Sequence, residues 1–314
     1  MVKSWAYMGG EAGPAYIAGT SGGSIVTSFD GGVTWVVAET LSGGPNINSP
    51  GMTKAGGAYY IGSPTGSNPY YKSAAGQGMG GFVLDSAGGI AAHSLISGAG
   101  LFVTGRNAAT PTYHTSNDLI TFTLRSAAGF NGASGMHPTA ISFQNNYFCA
   151  INQLATPQVG RSLDGINWVD IQAIGLGPSG IIGGLFVSYQ NGVYYASISN
   201  DGVYRSADFL SWGRVLVSPA IVGYHAIASN GDTIVTVGDS RNIAYSLNNG
   251  GTWTQILVGA TSENWLDVKW VPSWGRFVAI TSLSSAGSIT TSPDGVTWTI
   301  PVSPIASYRS AMLR

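Results

Sequence analysis

Carboxylates are the side chains that could carry acid–base chemistry in this sequence, and they are few. The 314 residues include 14 Asp and Glu, of which only three are Glu. A glycosidase needs two carboxyl groups facing each other across the bond that is cleaved. Glu263 and Asp239, both near predicted loops of one face, form the best available pair. Since about half of the aspartates belong to a repeated turn, we predict no convergent catalytic cluster and no enzyme.

Histidine and cysteine are the side chains to consider for metal or nucleophilic chemistry. His93, His137 and His225 each lie near the start of a predicted strand, and three imidazoles around one opening could bind a metal ion or an anion. The alternative, which we favour, is that a repeated structure places similar residues at similar positions. The single cysteine, Cys149, lies in an apolar run and is predicted to be a small, buried apolar side chain. We therefore predict no metal site and no cofactor.

Composition excludes several classes of protein. Charged residues make up 9% of the chain and the formal net charge is −1, so no basic surface is available for a nucleic-acid backbone. Glu and Lys, which helix surfaces normally carry, are scarce, whereas glycine is abundant at 46 residues. No apolar run is long enough to span a membrane, and the first residues lack the apolar core of a signal peptide. These features favour an all-β protein.

A short motif, which we call the box, recurs along the chain. Each copy begins with Ser and ends in an aromatic residue, and all but the copy at Ser73 have Asp or Asn two residues after the Ser. The starting serines are Ser28, Ser73, Ser116, Ser162, Ser206, Ser246 and Ser292, at spacings of 45, 43, 46, 44, 40 and 46 residues. The other defining residues are Asp30, Trp35, Asp118, Asp164, Trp168, Asp208, Trp212, Asn248, Trp253, Asp294 and Trp298.

The residues around each box predict four short antiparallel strands. In the sixth unit these strands cover residues 224–229, 233–238, 243–246 and 252–257, with a tight turn at Asn230-Gly231. Four strands in roughly 44 residues are typical of one propeller blade. We predict an all-β fold in which a single domain, residues 1–314, forms a seven-bladed β-propeller of four-stranded blades.

Ring closure needs a strand from one end of the chain to complete a blade. Two segments, residues 3–8 and 306–314, have the pattern of an innermost strand, although they compete for one place. We expect the C-terminal segment to close the ring and the N-terminal segment to be displaced.

The box segments resemble Asp-boxes, also called bacterial neuraminidase repeats, over nearly the whole chain. Such repeats occur in propellers of sialidases, some glycanases, sorting receptors, photosystem assembly factors and many virion proteins, so the resemblance implies an architecture and not one activity. A sialidase would also have an arginine triad and an Arg-Ile-Pro segment near its start. This chain has no arginine before Arg106, and Arg161 and Arg205 directly precede box serines. We therefore expect no sialidase site.

The box residues are expected to hold turns and not to bind a ligand. The Asp carboxylate accepts hydrogen bonds from backbone N–H groups, glycine supplies a positive φ, and the Trp folds onto the blade core. Asn248 can replace Asp because an amide oxygen accepts the same bonds. Since the boxes lie on the rims of separate blades, their carboxylates are too far apart to act together.

Ligand contact is expected in the loops that join second to third strands and one blade to the next. These loops share one face, and their small, polar, Gly- and Pro-rich sequences suit contact with a glycan or a protein. The candidate ligand-binding residues are Arg106, Asn107, Asn152, Asp239, Arg241, Asn242 and Trp265. Trp265 could offer a platform for a sugar ring, although packing at the start of an innermost strand is the alternative that we favour.

Together these features predict a non-catalytic propeller that serves as an interaction or structural module. Its neutral surface resembles that of bacteriophage structural proteins, so we expect a virion component, in a tail or a fibre, that contacts other proteins or a receptor. Partners would be other virion proteins or further copies of the chain, or else a surface glycan, and neither nucleic acid nor a membrane. The alternatives are an extracellular propeller that binds or cleaves carbohydrate, sialidase-like, glycosidase-like or lectin-like, and an intracellular assembly factor.

Overall fold

The structure is built of short β-strands. The computed structural model describes residues 15–19, 23–41, 52–55, 58–62, 70–73, 82–85, 95–105, 112–126, 128–130, 141–152, 156–175, 184–219, 222–259, 264–281, 289–300 and 308–312. Within these residues, 27 strands form seven antiparallel sheets. The same residues contain no helix with the length and apolar character that crossing a membrane requires.

Each sheet is one blade, whose strands run in order from the innermost to the outermost. The first blade has β27 (Tyr308–Met312), β1 (Ala15–Gly19), β2 (Ser24–Ser28) and β3 (Val36–Thr40). The second has β4 (Met52–Ala55), β5 (Ala58–Gly62), β6 (Tyr70–Lys72) and β7 (Val83–Asp85). The third has β8 (Ile96–Gly98), β9 (Leu101–Gly105), β10 (Thr112–Ser116) and β11 (Thr123–Ser126).

The remaining blades continue the same scheme. The fourth has β12 (Ile141–Gln144), β13 (Tyr147–Ile151), β14 (Gln158–Ser162) and β15 (Val169–Ala173). The fifth has β16 (Gly184–Gln190), β17 (Val193–Ile198), β18 (Gly202–Ser206) and β19 (Gly213–Val217). The sixth has β20 (Tyr224–Ser229), β21 (Ile234–Gly238), β22 (Asn242–Ser246) and β23 (Thr254–Leu257). The seventh has β24 (Trp265–Val271), β25 (Arg276–Thr281) and β26 (Ile289–Ser292), with Thr299 bridged to Thr291 in the place of a fourth strand.

The innermost strands form a closed ring. They contact one another in the order β27, β4, β8, β12, β16, β20 and β24, and β24 contacts β27 again. β27 pairs antiparallel with β1, where Ala311 lies opposite Ile17, so the C-terminal segment completes the first blade as predicted. The competing segment, residues 3–8, lies outside the described residues. The predicted fold, a seven-bladed β-propeller, is confirmed.

Tight turns fix the register of the blades. In the third, fourth and fifth blades the first hairpin turns through Ala99-Gly100, Asn145-Asn146 and Asn191-Gly192, and φ is positive at all six residues. Two-residue turns of this kind match the twist of the strands they join. In the sixth blade the predicted turn at Asn230-Gly231 lies directly after β20, as expected.

The hydrophobic core is divided among the gaps between adjacent blades. In one cluster, Cys149 and Ile151 of the fourth blade pack with Val187 and Tyr204 of the fifth. Further clusters join the third blade to the fourth, the fifth to the sixth, the sixth to the seventh and the seventh to the first. Because two blades share each cluster, every blade depends on its neighbours to bury its apolar surface.

Six of the boxes are described, and they form closely similar hydrogen-bonded turns. In each, the Ser hydroxyl donates to the Asp or Asn side chain at 2.9–3.0 Å. In the last box, Asp294 Oδ1 also accepts from the N–H groups of Val296 and Thr297, both at 2.8 Å. Ser292 Oγ accepts in turn from the N–H of Gly295 at 2.8 Å. These are the bonds that the sequence predicts for a turn-holding role.

The box aspartates are ionised far below neutral pH. The hydroxyl of Thr34, followed by its N–H, lowers the pKa of Asp30 to about 2. For Asp208 the N–H groups of Ser211 and Leu210 lower the pKa to about 2. A carboxylate held in this way is not a general acid at neutral pH.

The residue after the box Asp or Asn has a left-handed backbone conformation in every described box. Its φ lies between 53° and 79° at Gly31, Leu119, Gly165, Phe209, Asn249 and Gly295. At Gly165 a Cβ atom would lie 2.9 Å from Leu101 Cδ2 and 3.1 Å from the Phe148 ring, so a larger residue would require these side chains to shift. Leu119 and Phe209 occur at this position against the expectation of glycine, and both are buried, at 3% and 0% exposure. Their burial offsets the cost of the left-handed backbone.

Candidate functional site

The antiparallel order of the strands gives the ring two faces. The loop face carries the starts of the innermost strands and the loops between second and third strands. The box face carries the first hairpins of the blades and the box turns. The candidate ligand-binding residues that the structure describes all lie at the loop face, as expected from their loops.

A histidine and an aspartate meet at the loop face of the sixth blade. His225 lies at a shift of register near the start of β20, and Asp239 directly follows β21. His225 Nε2 lies 2.8 Å from Asp239 Oδ1, and the N–H of Gly223 donates to Asp239 Oδ2 at 2.9 Å. Burial acts to raise the pKa of Asp239, but the hydrogen bond and charge of His225, together with the N–H of Gly223, outweigh it and hold this pKa below its usual value. The ionised carboxylate therefore orients the imidazole.

The loop that follows Asp239 is shaped by its own side chains. Arg241 adopts a φ of 67°, and its Nη1 donates to the carbonyl of Gly259 at 3.2 Å. Asn242 Nδ2 donates to the carbonyls of Asp239 and Ser240 at 2.8 and 3.1 Å. The structure thus brings Asp239, Arg241 and Asn242 together, and it adds His225, which the sequence places on this face without pairing it to Asp239.

Two further candidates are buried. Asn152 is 0% exposed, and its Oδ1 accepts from the N–H of Gln158 at 2.7 Å, which closes the loop between β13 and β14. Trp265 is 0% exposed, and its Nε1 donates to the carbonyl of Val258 at 3.0 Å. The burial of Trp265 supports packing as its role, and not the alternative of a platform for a sugar ring. Arg106 and Asn107 lie outside the described residues.

A closed carboxylate network lies one blade away from His225. Asp201, in the turn between β17 and β18, accepts from the Tyr204 hydroxyl at 2.7 Å and from Arg214 Nη1 at 2.6 Å. Burial, together with the bond to Asp201, raises the pKa of Tyr204. Both carboxylate oxygens are engaged within the blade, so Asp201 stabilises its turn.

Metal and catalytic clusters were the other options raised by the sequence. Across the part of the chain that the structure describes, no three His, Cys, Asp or Glu side chains could share a metal ion. His93, His137 and Glu263 lie outside that part, so neither the histidine ring nor the pair of Glu263 with Asp239 is described. Burial raises the pKa of Cys149 to about 12, and the thiol is 1% exposed. It is the buried small hydrophobe that the sequence predicts.

The box face holds a cleft that the sequence motifs did not predict. It has a volume of about 410 Å³ and lies between the first box and the 3₁₀ turn Pro272–Trp274 of the seventh blade. Phe29, which is 70% exposed, Trp274 and Arg276 line it. The signal that could have revealed it is the turn itself, since Pro-Ser-Trp-Gly stands where three other blades have two-residue turns.

The fold defines the class of this protein as β-propeller, and solved structures agree. The WD40 β-propeller domain of Doa1 has a TM-score of 0.56 at 12% identity, with 88% of each chain covered. The computationally designed Ika8 protein has a TM-score of 0.54 at 13% identity, with 95% of this chain and 89% of its own covered. The GH74 xyloglucanase from Xanthomonas campestris has a TM-score of 0.55 at 14% identity, covering 78% of this chain. This chain spans only 43% of that enzyme.

These similarities stop at the fold. No protein-family model matches the sequence, and no curated protein matches it. At such low identity a shared propeller is an architecture that hosts unrelated activities, as a glycoside hydrolase and a WD40 domain illustrate. The activity has to be argued from the residues of this chain.

Proposed function

We propose that this propeller is a non-catalytic interaction module of the Asp-box type, and that it works within a bacteriophage virion as part of a tail or fibre. In this role it contacts other virion proteins, further copies of itself or a receptor. The regular boxes support the first statement, and the neutral, glycine-rich sequence supports the second.

The observation that carries the proposal is the apolar character of the blade edges. A large apolar side chain is 48–69% exposed on the outermost strand of each of six blades: Val36, Val83, Leu124, Val169, Val217 and Leu257. An exposed strand edge with apolar side chains is a template for contact with another chain. Among the described residues of the loop face, by contrast, the polar side chains of Asp239, Arg241 and Asn242 are engaged in hydrogen bonds with nearby protein atoms. Contact through the edges therefore fits the molecule better than chemistry at the loops.

Particle composition tests the virion proposal. Phage particles from cells that make the chain, banded by density and washed in high salt, are expected to contain it at a fixed ratio to the capsid protein by mass spectrometry. Val169→Lys with Val217→Lys should reduce incorporation, because each places a charge on a blade edge. Asn117→Lys, at an exposed box tip, is the matched control. A chain that stays in the lysate and is absent from washed particles contradicts the proposal.

The second candidate function is carbohydrate binding or cleavage, and the His225–Asp239 pair favours it. An imidazole oriented by a carboxylate is a typical arrangement for a general base. A panel of chromogenic glycosides decides between the two candidates. No turnover by folded protein supports the non-catalytic module, whereas turnover that Asp239→Asn abolishes would establish an enzyme.

A further inference from the structure

The cleft on the box face is built by a departure from the repeat. β24 and β25 pair up to Val271 and Arg276, and the turn between them begins with Pro272 and ends at Gly275, whose φ is 59°. The N–H of Gly275 donates to the carbonyl of Pro272 at 3.2 Å. A proline at the start and a left-handed glycine at the end restrict the turn. Trp274 and Arg276 are therefore presented from a defined backbone.

Trp274 packs against two residues of the first box. Its ring meets that of Trp35 edge-on, with centroids 5.7 Å apart and planes at 69°. A Cβ atom at Gly32 would lie 3.1 Å from the Trp274 ring, so the absence of a side chain at Gly32 makes room for this ring. The ring also lines the open cleft. A rigid aromatic surface that remains accessible is suited to stacking against a ligand.

The charges in the cleft are unequally satisfied. Asp30 lines the cleft, but its carboxylate accepts from the hydroxyls of Ser28 and Thr34 and from the N–H groups of Val33 and Thr34. The side chain of Arg276 makes no ion pair or hydrogen bond with any residue in the described ranges. An accessible guanidinium beside aromatic rings is a ready partner for a carboxylate.

We propose that this cleft binds a carboxylated sugar, such as a hexuronate unit of an acidic polysaccharide. The C–H face of the sugar ring lies on Trp274, its carboxylate meets Arg276, and Phe29 covers the open side. A cleft of about 410 Å³ is in the size range of small-ligand sites. A pyranose ring, apolar on one face and polar at its edge, matches an aromatic surface with a cation at its border. This site is independent of the virion proposal and lies on the face opposite His225.

Calorimetric titration of the full chain with a galacturonic acid trisaccharide tests the proposal, with the neutral galactose trisaccharide as the paired ligand. The acidic sugar is expected to bind at least tenfold more tightly, and Arg276→Gln to weaken it roughly tenfold to a hundredfold by removing a charged hydrogen bond. Phe29→Ala should weaken it several-fold. Leu247→Ala, at the same position of the sixth box and 65% exposed, should leave binding unchanged.

The melting temperature of each variant shows whether it is folded. Arg276→Gln is the deciding variant because the Arg276 side chain belongs to none of the described hydrophobic clusters. Four results would overturn the proposal: no binding of the acidic trisaccharide, equal binding of the neutral one, unchanged binding by Arg276→Gln, or tighter binding of an acidic aromatic peptide than of the sugar. Failure of the sugar-binding proposal would not contradict the proposed assembly through the blade edges. The edge variants are tested by their incorporation into phage particles and not by titration.

Discussion

At the scale of single residues, one hydrogen-bonding pattern explains both the common Asp of the boxes and its replacement by Asn. Asp30 Oδ1 accepts from the N–H of Thr34 at 2.8 Å, and Oδ2 accepts from the Thr34 hydroxyl at 2.5 Å. In the sixth box, Asn248 Oδ1 accepts from the N–H of Thr252 at 2.8 Å, while Nδ2 donates to the Thr252 hydroxyl at 2.9 Å. A threonine hydroxyl can donate or accept, so both pairs hold the same turn. They differ in that only Asp titrates.

Acid should therefore destabilise the protein through its box aspartates. The pKa of Asp30 and that of Asp208 are both about 2 in the fold, against an ordinary value of 3.8 for aspartate. A folded pKa below the unfolded one gives stability that is present above about pH 4 and lost as the pH falls toward 2. The melting temperature should fall over this interval, and Asp30→Asn should flatten the fall. Asn248→Asp, the reverse change in a box of equal length, should steepen it, and unchanged slopes in both variants would contradict this account.

At the scale of strands and blades, aromatic side chains couple one blade to the next. Four box tryptophans donate Nε1 to a carbonyl of their own box, at 2.9–3.2 Å. Trp168 instead donates to the hydroxyl of Tyr113, in the third blade, at 3.0 Å. Its ring also meets those of Tyr113 and Phe130 edge-on, at 6.0 and 5.8 Å between centroids. Trp168 thus fastens the fourth blade to the third.

Removing this ring should be costly. Trp168→Ala is expected to lower the free energy of unfolding by roughly 3–5 kcal/mol, as for other large-to-small changes in a core. Trp168→Phe keeps a ring and loses the bond to Tyr113, so its cost should be about 1–3 kcal/mol. Denaturant unfolding measures both, and binding by each folded molecule should persist. A Trp168→Ala protein with an unchanged midpoint would show that the ring does not couple the blades.

The sequence predicts those elements that depend on local chemistry. The strands of the sixth blade and its turn follow from alternating apolar residues and from Asn230-Gly231, and both are found as expected. The left-handed Leu119 and Phe209 were not predictable, because burial against a neighbouring blade offsets their strain. The meeting of Phe29 and Trp274 in one cleft was missed for a similar reason, since it depends on which blades become neighbours. Local patterns do not carry that information.

At the scale of the whole molecule, ring closure makes the first and last blades neighbours. β27 is supplied by the C-terminal segment, pairs with β1, and contacts β24 and β25 of the seventh blade. The same junction brings the first box up to Trp274 and so forms the cleft. Closure therefore contributes both stability and a binding surface, and the two should be lost together.

Deleting residues 308–314 tests this coupling. Without β27, the edge of β1 and the gap beside the seventh blade open to water, and a loss of several kcal/mol is expected, or roughly 10 °C in melting temperature. The deletion should also weaken binding of the acidic trisaccharide. Deleting residues 1–8, which include the competing segment 3–8, is the matched control and should leave closure intact. If both deletions lowered the melting temperature equally, the assignment of closure to the C-terminal strand alone would be wrong.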